Sequence, residues 1–276
     1  MKAAAWIGGH ATATVYLALT VASAQPNAKV VTGTAATRAF VVQGKPIHPF
    51  CIDFPLERAS RSDAIELAKC MDARVVPKAA TVGWLSAEYP KALDDVFVSF
   101  PPYASYRVLA RKGDRFLIAT EKSGGGSGQF TELFWVRLGA TEIAIVKDET
   151  SGDRCLGGLG RYQIDGASVR FEQSQSTSDL IALTGATVPT AVTAELRSGY
   201  LACDGSARYR YDLNAERMQL VGVHVNPPDP PEAADRRPQA CFDRLALSYG
   251  KRGVDRFTPD QMKRFGQAFV SSCSQP

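Results

Sequence analysis

The stretch GDRCLGGLGRYQIDGASVRFE, residues 152 to 172, decides the fold. After Gly160, Tyr162 and Ile164 alternate with Arg161 and Gln163. Asp165-Gly166 marks a turn, and Ala167, Val169 and Phe171 then alternate with Ser168, Arg170 and Glu172. A period of two on both sides of an Asp-Gly pair predicts a β-hairpin with one wet face. Glycines at 157, 158 and 160 also invite comparison with a dinucleotide-binding loop. That motif opens a helix whose N-terminus holds the pyrophosphate, whereas these glycines open a strand. The stretch is therefore read as a stapled turn, with Cys155 as its staple.

The same alternation returns in CDGSARYRYDL, residues 203 to 213. There Asp204-Gly205 precedes Ala207, Tyr209, Tyr211 and Leu213 on one face, and Arg208, Arg210 and Asp212 on the other. Upstream, YRVLARKGDRFLIATEK carries Gly113-Asp114 between two strand-like runs, a two-residue hairpin turn. FTELFWVRL and EIAIVK are rich in the bulky and β-branched residues that suit a pleated, half-buried surface. Helices are expected at SDAIELAKCM, at TSDLIALTG with Gly185 as its stop, and at FDRLALSYG and PDQMKRFGQAFVSS. Thr258-Pro259-Asp260-Gln261 supplies a capping box with proline at the first helical position. NPPDPPEAADRRP, residues 226 to 238, reads as a stiff connector to a separable C-terminal piece.

At the N-terminus, Lys2 precedes a mostly apolar run and the segment closes on Ala22-Ser23-Ala24. That order predicts a secretory signal peptide over residues 1 to 24, followed by a lead-in segment over 25 to 47. No uninterrupted apolar run is long enough for a membrane span after signal cleavage. The formal net charge of +4 is spread without a basic block, which argues against a nucleic-acid partner. Six cysteines, Cys51, Cys70, Cys155, Cys203, Cys241 and Cys273, all lie beyond the signal segment. An even count in an exported chain predicts three disulfides, and we pair sequence neighbours. No close C-x-x-C pair is present to bind a metal or run redox chemistry.

Catalytic signatures are weak. His48 in KPIHPFC is read as an exposed bend, and His224 as the residue opposite a buried face made by Val221, Val223 and Val225. Neither has a G-x-S-x-G partner for a serine triad. Ser248-Tyr249-Gly250-Lys251 has the S-x-x-K spacing of serine acyl-transferases but lacks the supporting S-D-N and K-T-G elements. Asp148, Glu149 and Asp153 cluster without the order of a calcium loop and are read as a solvated turn. Proline-flanked aromatics at FPPY point to a partner-binding shelf of Phe100, Tyr103 and Tyr106, with Trp84 and Trp135 close by in the reading.

These observations predict a mainly β (α+β) protein. The core is an antiparallel sheet sandwich or barrel over residues 48 to 225, with a short stapled helix on its N-terminal side and a C-terminal helical hairpin over 239 to 276. The expected location is periplasmic or secreted, and the expected role is that of a non-catalytic binding or envelope-accessory protein, with an envelope protein or glycan as its partner and no cofactor. The alternative is a secreted hydrolase acting on a cell-wall glycan or ester through paired carboxylates that are near only in space.

Overall fold

The computed structural model describes residues 28–52, 64–71, 78–79, 83–89, 102–125, 128–197, 203–232, 235 and 237–273. The expected signal peptide and Phe100 lie outside these residues. The first sheet follows the order Ile65–Glu66 (β4), Glu142–Asp153 (β10), Phe130–Leu138 (β9), Arg115–Ser123 (β8), Tyr103–Lys112 (β7), Trp84–Glu88 (β6) and Lys78–Ala79 (β5). Val30–Thr32 (β1) pairs with the far end of β7. The second sheet runs Leu159–Asp165 (β11), Ser168–Gln175 (β12), Gly205–Asp212 (β13), Arg217–Val225 (β14) and Arg256–Phe257 (β15). Val41–Val42 (β2) and Lys45–Pro46 (β3) form a separate hairpin. Every pairing is antiparallel. The helices are Thr34–Ala39 (α1), Ala68–Met71 (α2), Thr177–Leu183 (α3), Thr190–Ala194 (α4), Pro238–Gly250 (α5) and Pro259–Cys273 (α6).

The two sheets pack through Leu117, Ala119, Leu133 and Trp135 of the first against Val169, Phe171 and Tyr211 of the second. The first sheet is covered on its other face as well. Phe116, Ile118, Phe134, Val136 and Tyr106 meet Ala36, Phe40, Ile47 and Ile52 there. β8 and β9 are thus a middle layer rather than half-buried strands, and their unbroken runs FLIA and LFWV are what burial on both faces demands. The segment 28–47 is correspondingly part of the core, with Phe40 and Ile47 fully buried.

The C-terminal helices also form part of the fold. Phe242, Phe265 and Phe269 pack with Val223 and Val225 of β14, and β15 adds an edge strand to the second sheet. At Gly266 of α6 a Cβ would stand 2.3 Å from Thr184 Oγ1, so the close approach of α6 to the end of α3 requires glycine. α3 carries the capping box of Ser176 and Asp179, and Gly185 follows at φ 69°.

All three neighbour-paired disulfides are present: Cys51–Cys70, Cys155–Cys203 and Cys241–Cys273. The glycines of the opening stretch serve close backbone packing beside the second of them. A Cβ on Gly152 would stand 2.1 Å from the Gly157 carbonyl carbon, and one on Gly158 would stand 2.3 Å from Arg154 O.

Several local expectations change. The helix over SDAIELAKCM shortens to α2, because Ile65–Glu66 pairs with the start of β10. His48 is 4% exposed, and its Nδ1 accepts a hydrogen bond from Phe50 N, capping the turn Pro49–Cys51. Val221 is 43% exposed because it is the extra residue of a β-bulge between the pairs Arg208↔Gly222 and Tyr209↔Leu220. Asp204, just before β13, ties this strand to the start of α3: its Oδ2 accepts from Thr177 N and Oγ1, and its Oδ1 lies 3.0 Å from Arg197.

A charged clamp joins the sheets at the β13–β14 turn. Glu216 lies 2.8 Å from Lys112 and 2.6 Å from Arg115, and its carbonyl accepts from Lys147. Burial raises the Glu216 carboxyl, but hydrogen bonds from Arg115 and Lys112 outweigh it and hold the group below its ordinary range. A depressed carboxyl stabilises the fold fully above its unfolded value, near pH 4.3, and the contribution is lost as pH falls through the lowered folded value. Glu216→Gln is expected to cost about 2 kcal/mol at neutral pH. It should also flatten the acid limb of stability against pH, measured by urea denaturation; an unchanged acid limb would contradict the clamp.

Candidate functional site

The face of the first sheet that meets the second changes character along its strands. Register puts Trp84, Arg107 and Ala119 in one row, Ser86, Ser105 and Glu121 in the next, and Tyr103 and Ser123 beyond them. The apolar end of this face is covered by the second sheet. Past that cover, the polar end meets β11 and forms an open cavity of about 360 Å³, lined by Trp84, Ser105, Arg107, Glu121, Arg161 and Tyr162 among others. That volume is in the range of small-molecule sites.

A bulge in β11 builds the near wall. Gly160 pairs with Glu172 and Gln163 with Arg170, so Arg161 and Tyr162 together oppose Phe171. Arg161 takes φ 48°, a left-handed conformation that a non-glycine residue adopts only when its surroundings enforce it. The bulge places Arg161 on the rim, while the Tyr162 ring lies 6.2 Å from Trp84 and 6.3 Å from Phe171. The Tyr162 hydroxyl is buried and has no hydrogen-bond partner among the described residues. Burial raises its pKa, and the charges of Glu121 and Arg107, both on the cavity wall, act on it in opposite directions. A buried hydroxyl without a partner costs free energy, and here that unsatisfied group lies in the wall of the cavity.

The opposite wall is pre-ordered. Tyr103 Oη donates to Glu121 Oε1 at 2.7 Å, and Gln129 Nε2 donates to the same oxygen at 2.7 Å. Burial, followed by the bond to Glu121, pushes the Tyr103 pKa up to about 12, so it stays a neutral donor. Ser105 Oγ donates to Ser86 Oγ at 2.8 Å. The cavity thus combines two aromatic rings, two guanidinium groups, one carboxylate and several hydroxyls.

Of the expected shelf, Tyr103 stands beside this cavity through Glu121. Tyr106 does not: it is 4% exposed, points to the opposite face, and donates to Ile47 O at 2.7 Å. It alternates with Arg107 along β7, and the cap of the first sheet covers it. Trp135 is fully buried between the sheets. Arg107, Glu121, Arg161 and Tyr162 were missed because they come from strands distant in sequence, and only sheet register brings them together. The motif-based candidates lie elsewhere. Ser248 Oγ donates to Leu245 O within α5. Asp148, Glu149 and Asp153 lie on strand β10 instead of a turn; Glu149 accepts from Tyr211 Oη, and Asp153 accepts from Gln129 N. Among the described residues no group of three or more His, Cys, Asp or Glu is placed to hold a metal ion, and no helix is long and apolar enough to cross a membrane.

Comparison with protein-family models, with curated proteins and with solved structures finds no match.

Proposed function

We infer that the protein is an exported, non-catalytic binding protein that takes an envelope glycan into the cavity between β6, β7, β8 and β11. The observation that carries this reading is the buried, unpartnered Tyr162 hydroxyl beside the Trp84 ring. Sugars present apolar ring faces that pack on aromatic rings, and a rim of hydroxyls that pair with polar groups. Three disulfides fit a protein that folds in an oxidising compartment, where such glycans are met. Hydrolysis of a glycosidic bond uses two facing carboxylates, but among the described residues Glu121 is the single carboxylate on this wall and is already engaged by Tyr103 and Gln129.

Isothermal titration with soluble peptidoglycan fragments tests the reading. Tyr162→Phe should weaken binding by about two- to tenfold, the value of one hydrogen bond, while leaving thermal stability unchanged or slightly raised, because an orphaned polar group is removed. Trp84→Ala should weaken it further. Equal binding by the wild type and both variants would contradict the site, and chain-shortened fragments after incubation would favour the hydrolase.

A further inference from the structure

The second sheet has an outer face that meets the cavity only at its β11 edge, where Arg161 and Tyr162 border both. Arg161, Arg170, Arg208 and Arg210, with Glu172 as the one carboxylate among the described residues, line a trough of about 550 Å³ across β11, β12 and β13. Arg170 and Arg210 stand directly opposite each other in the ladder, an arrangement of like charges that destabilises a sheet. Their relief is partial. Arg170 lies 2.6 Å from Asp165, and Arg210 is near enough to Asp212 to favour its ionised form.

Among the described residues no carboxylate lies within ion-pair distance of Arg161 or Arg208. Arg208 faces Glu172 in register, yet its guanidinium lies over Gly222 instead, where a Cβ would stand 3.0 Å from Nη2. The bulge at Val221 adds an exposed apolar side chain to the same trough.

We propose that this face docks an acidic polysaccharide, its carboxylates held by the paired arginines. A guanidinium presents a planar fork of donors that matches a carboxylate in two parallel hydrogen bonds. Arg208 and Arg210 stand two residues apart along one strand, about 7 Å, and Arg170 faces Arg210 across about 5 Å, so the cations form a row suited to an extended polyanion. Tyr162, Phe171 and Tyr209 border the trough, but Phe171 and Tyr209 are stacked on each other at 5.6 Å rather than standing free as the platforms on which single-stranded nucleic acids stack their bases. This inference does not depend on the glycan cavity, since Arg170, Arg208 and Arg210 take no part in that wall.

The test is titration of the full chain with sodium polygalacturonate, with dextran as the neutral control and duplex DNA as the competing polyanion. The wild type should bind polygalacturonate, with affinity falling as salt rises, should bind duplex DNA more weakly, and should not bind dextran. Arg208→Gln/Arg210→Gln should weaken binding by about tenfold or more per guanidinium lost, with a melting temperature at least equal to wild type because the facing charges are relieved. Lys251→Gln/Lys263→Gln, exposed changes of the same net charge on the C-terminal hairpin, should leave binding unchanged. The proposal is overturned by arginine variants that bind like wild type, by lysine variants that lose binding equally, or by DNA that binds as tightly as polygalacturonate. Loss of peptidoglycan-fragment binding in Tyr162→Phe with polygalacturonate binding intact would support two separate surfaces.

Discussion

Trp135→Ala should destabilise the protein by about 3–5 kcal/mol, the cost of emptying a large, fully buried aromatic site. Trp135 lies at the centre of the contact between the sheets, and its surroundings are fixed by the backbone of β8, β9 and β13. The indole nitrogen is a donor only, and it donates to Tyr211 Oη at 2.9 Å. The tyrosine proton is thereby directed to Glu149, which lies 2.7 Å from Lys147. Arg115 stands 5.3 Å over the indole ring and also holds Glu216, so the ring links the apolar contact to the charged clamp. Trp135→Phe keeps most of the buried area and loses the N–H, and should cost about 1–2 kcal/mol beyond the volume change. Urea denaturation checks both values. A loss below about 1 kcal/mol for Trp135→Ala would mean that the two sheets do not depend on this contact.

Removing the Cys155–Cys203 bridge is the second large effect. The linkage spans 48 residues, and the chain-entropy model assigns it about 4 kcal/mol. It connects the loop after β10, the last strand of the first sheet, to the start of β13 in the second. Its contribution is therefore to the encounter of two sheets that share no strand. Cys155→Ala/Cys203→Ala is expected to slow refolding and to change the unfolding rate little, since the cross-link restrains the unfolded chain. Stopped-flow refolding and unfolding in urea separate the two rates. A variant that refolds at the wild-type rate and unfolds faster would place the effect of the bridge in native packing.

Much of the strand order follows from simple periodicity. The turn at Gly113, with φ 66°, joins β7 to β8 in the two-residue loop expected of Gly-Asp between alternating runs. β11, β12 and β13 keep the wet faces read from Arg161, Gln163, Arg170, Arg208 and Arg210. Departures arise where one residue changes the phase of a strand. The bulges at Arg161–Tyr162 and at Val221 each put an extra residue into a ladder, and alternation along one chain carries no mark of that. His48 was misread as an exposed bend for another reason: its environment is supplied by Met71, far away in sequence, just as that of Phe40 is supplied by the face of the first sheet. The candidate site has the same property, because Trp84, Arg107, Glu121 and Tyr162 acquire a common purpose only through register.

The central claim, that the open end of the sandwich is a binding cavity, is tested most directly by hydrogen–deuterium exchange of the full chain with and without soluble peptidoglycan fragments. The account predicts slowed exchange confined to β6, the first half of β7, and the Gly160–Gln163 bulge. Protection absent from those segments, or centred on the opposite face of the first sheet around α1, would contradict it.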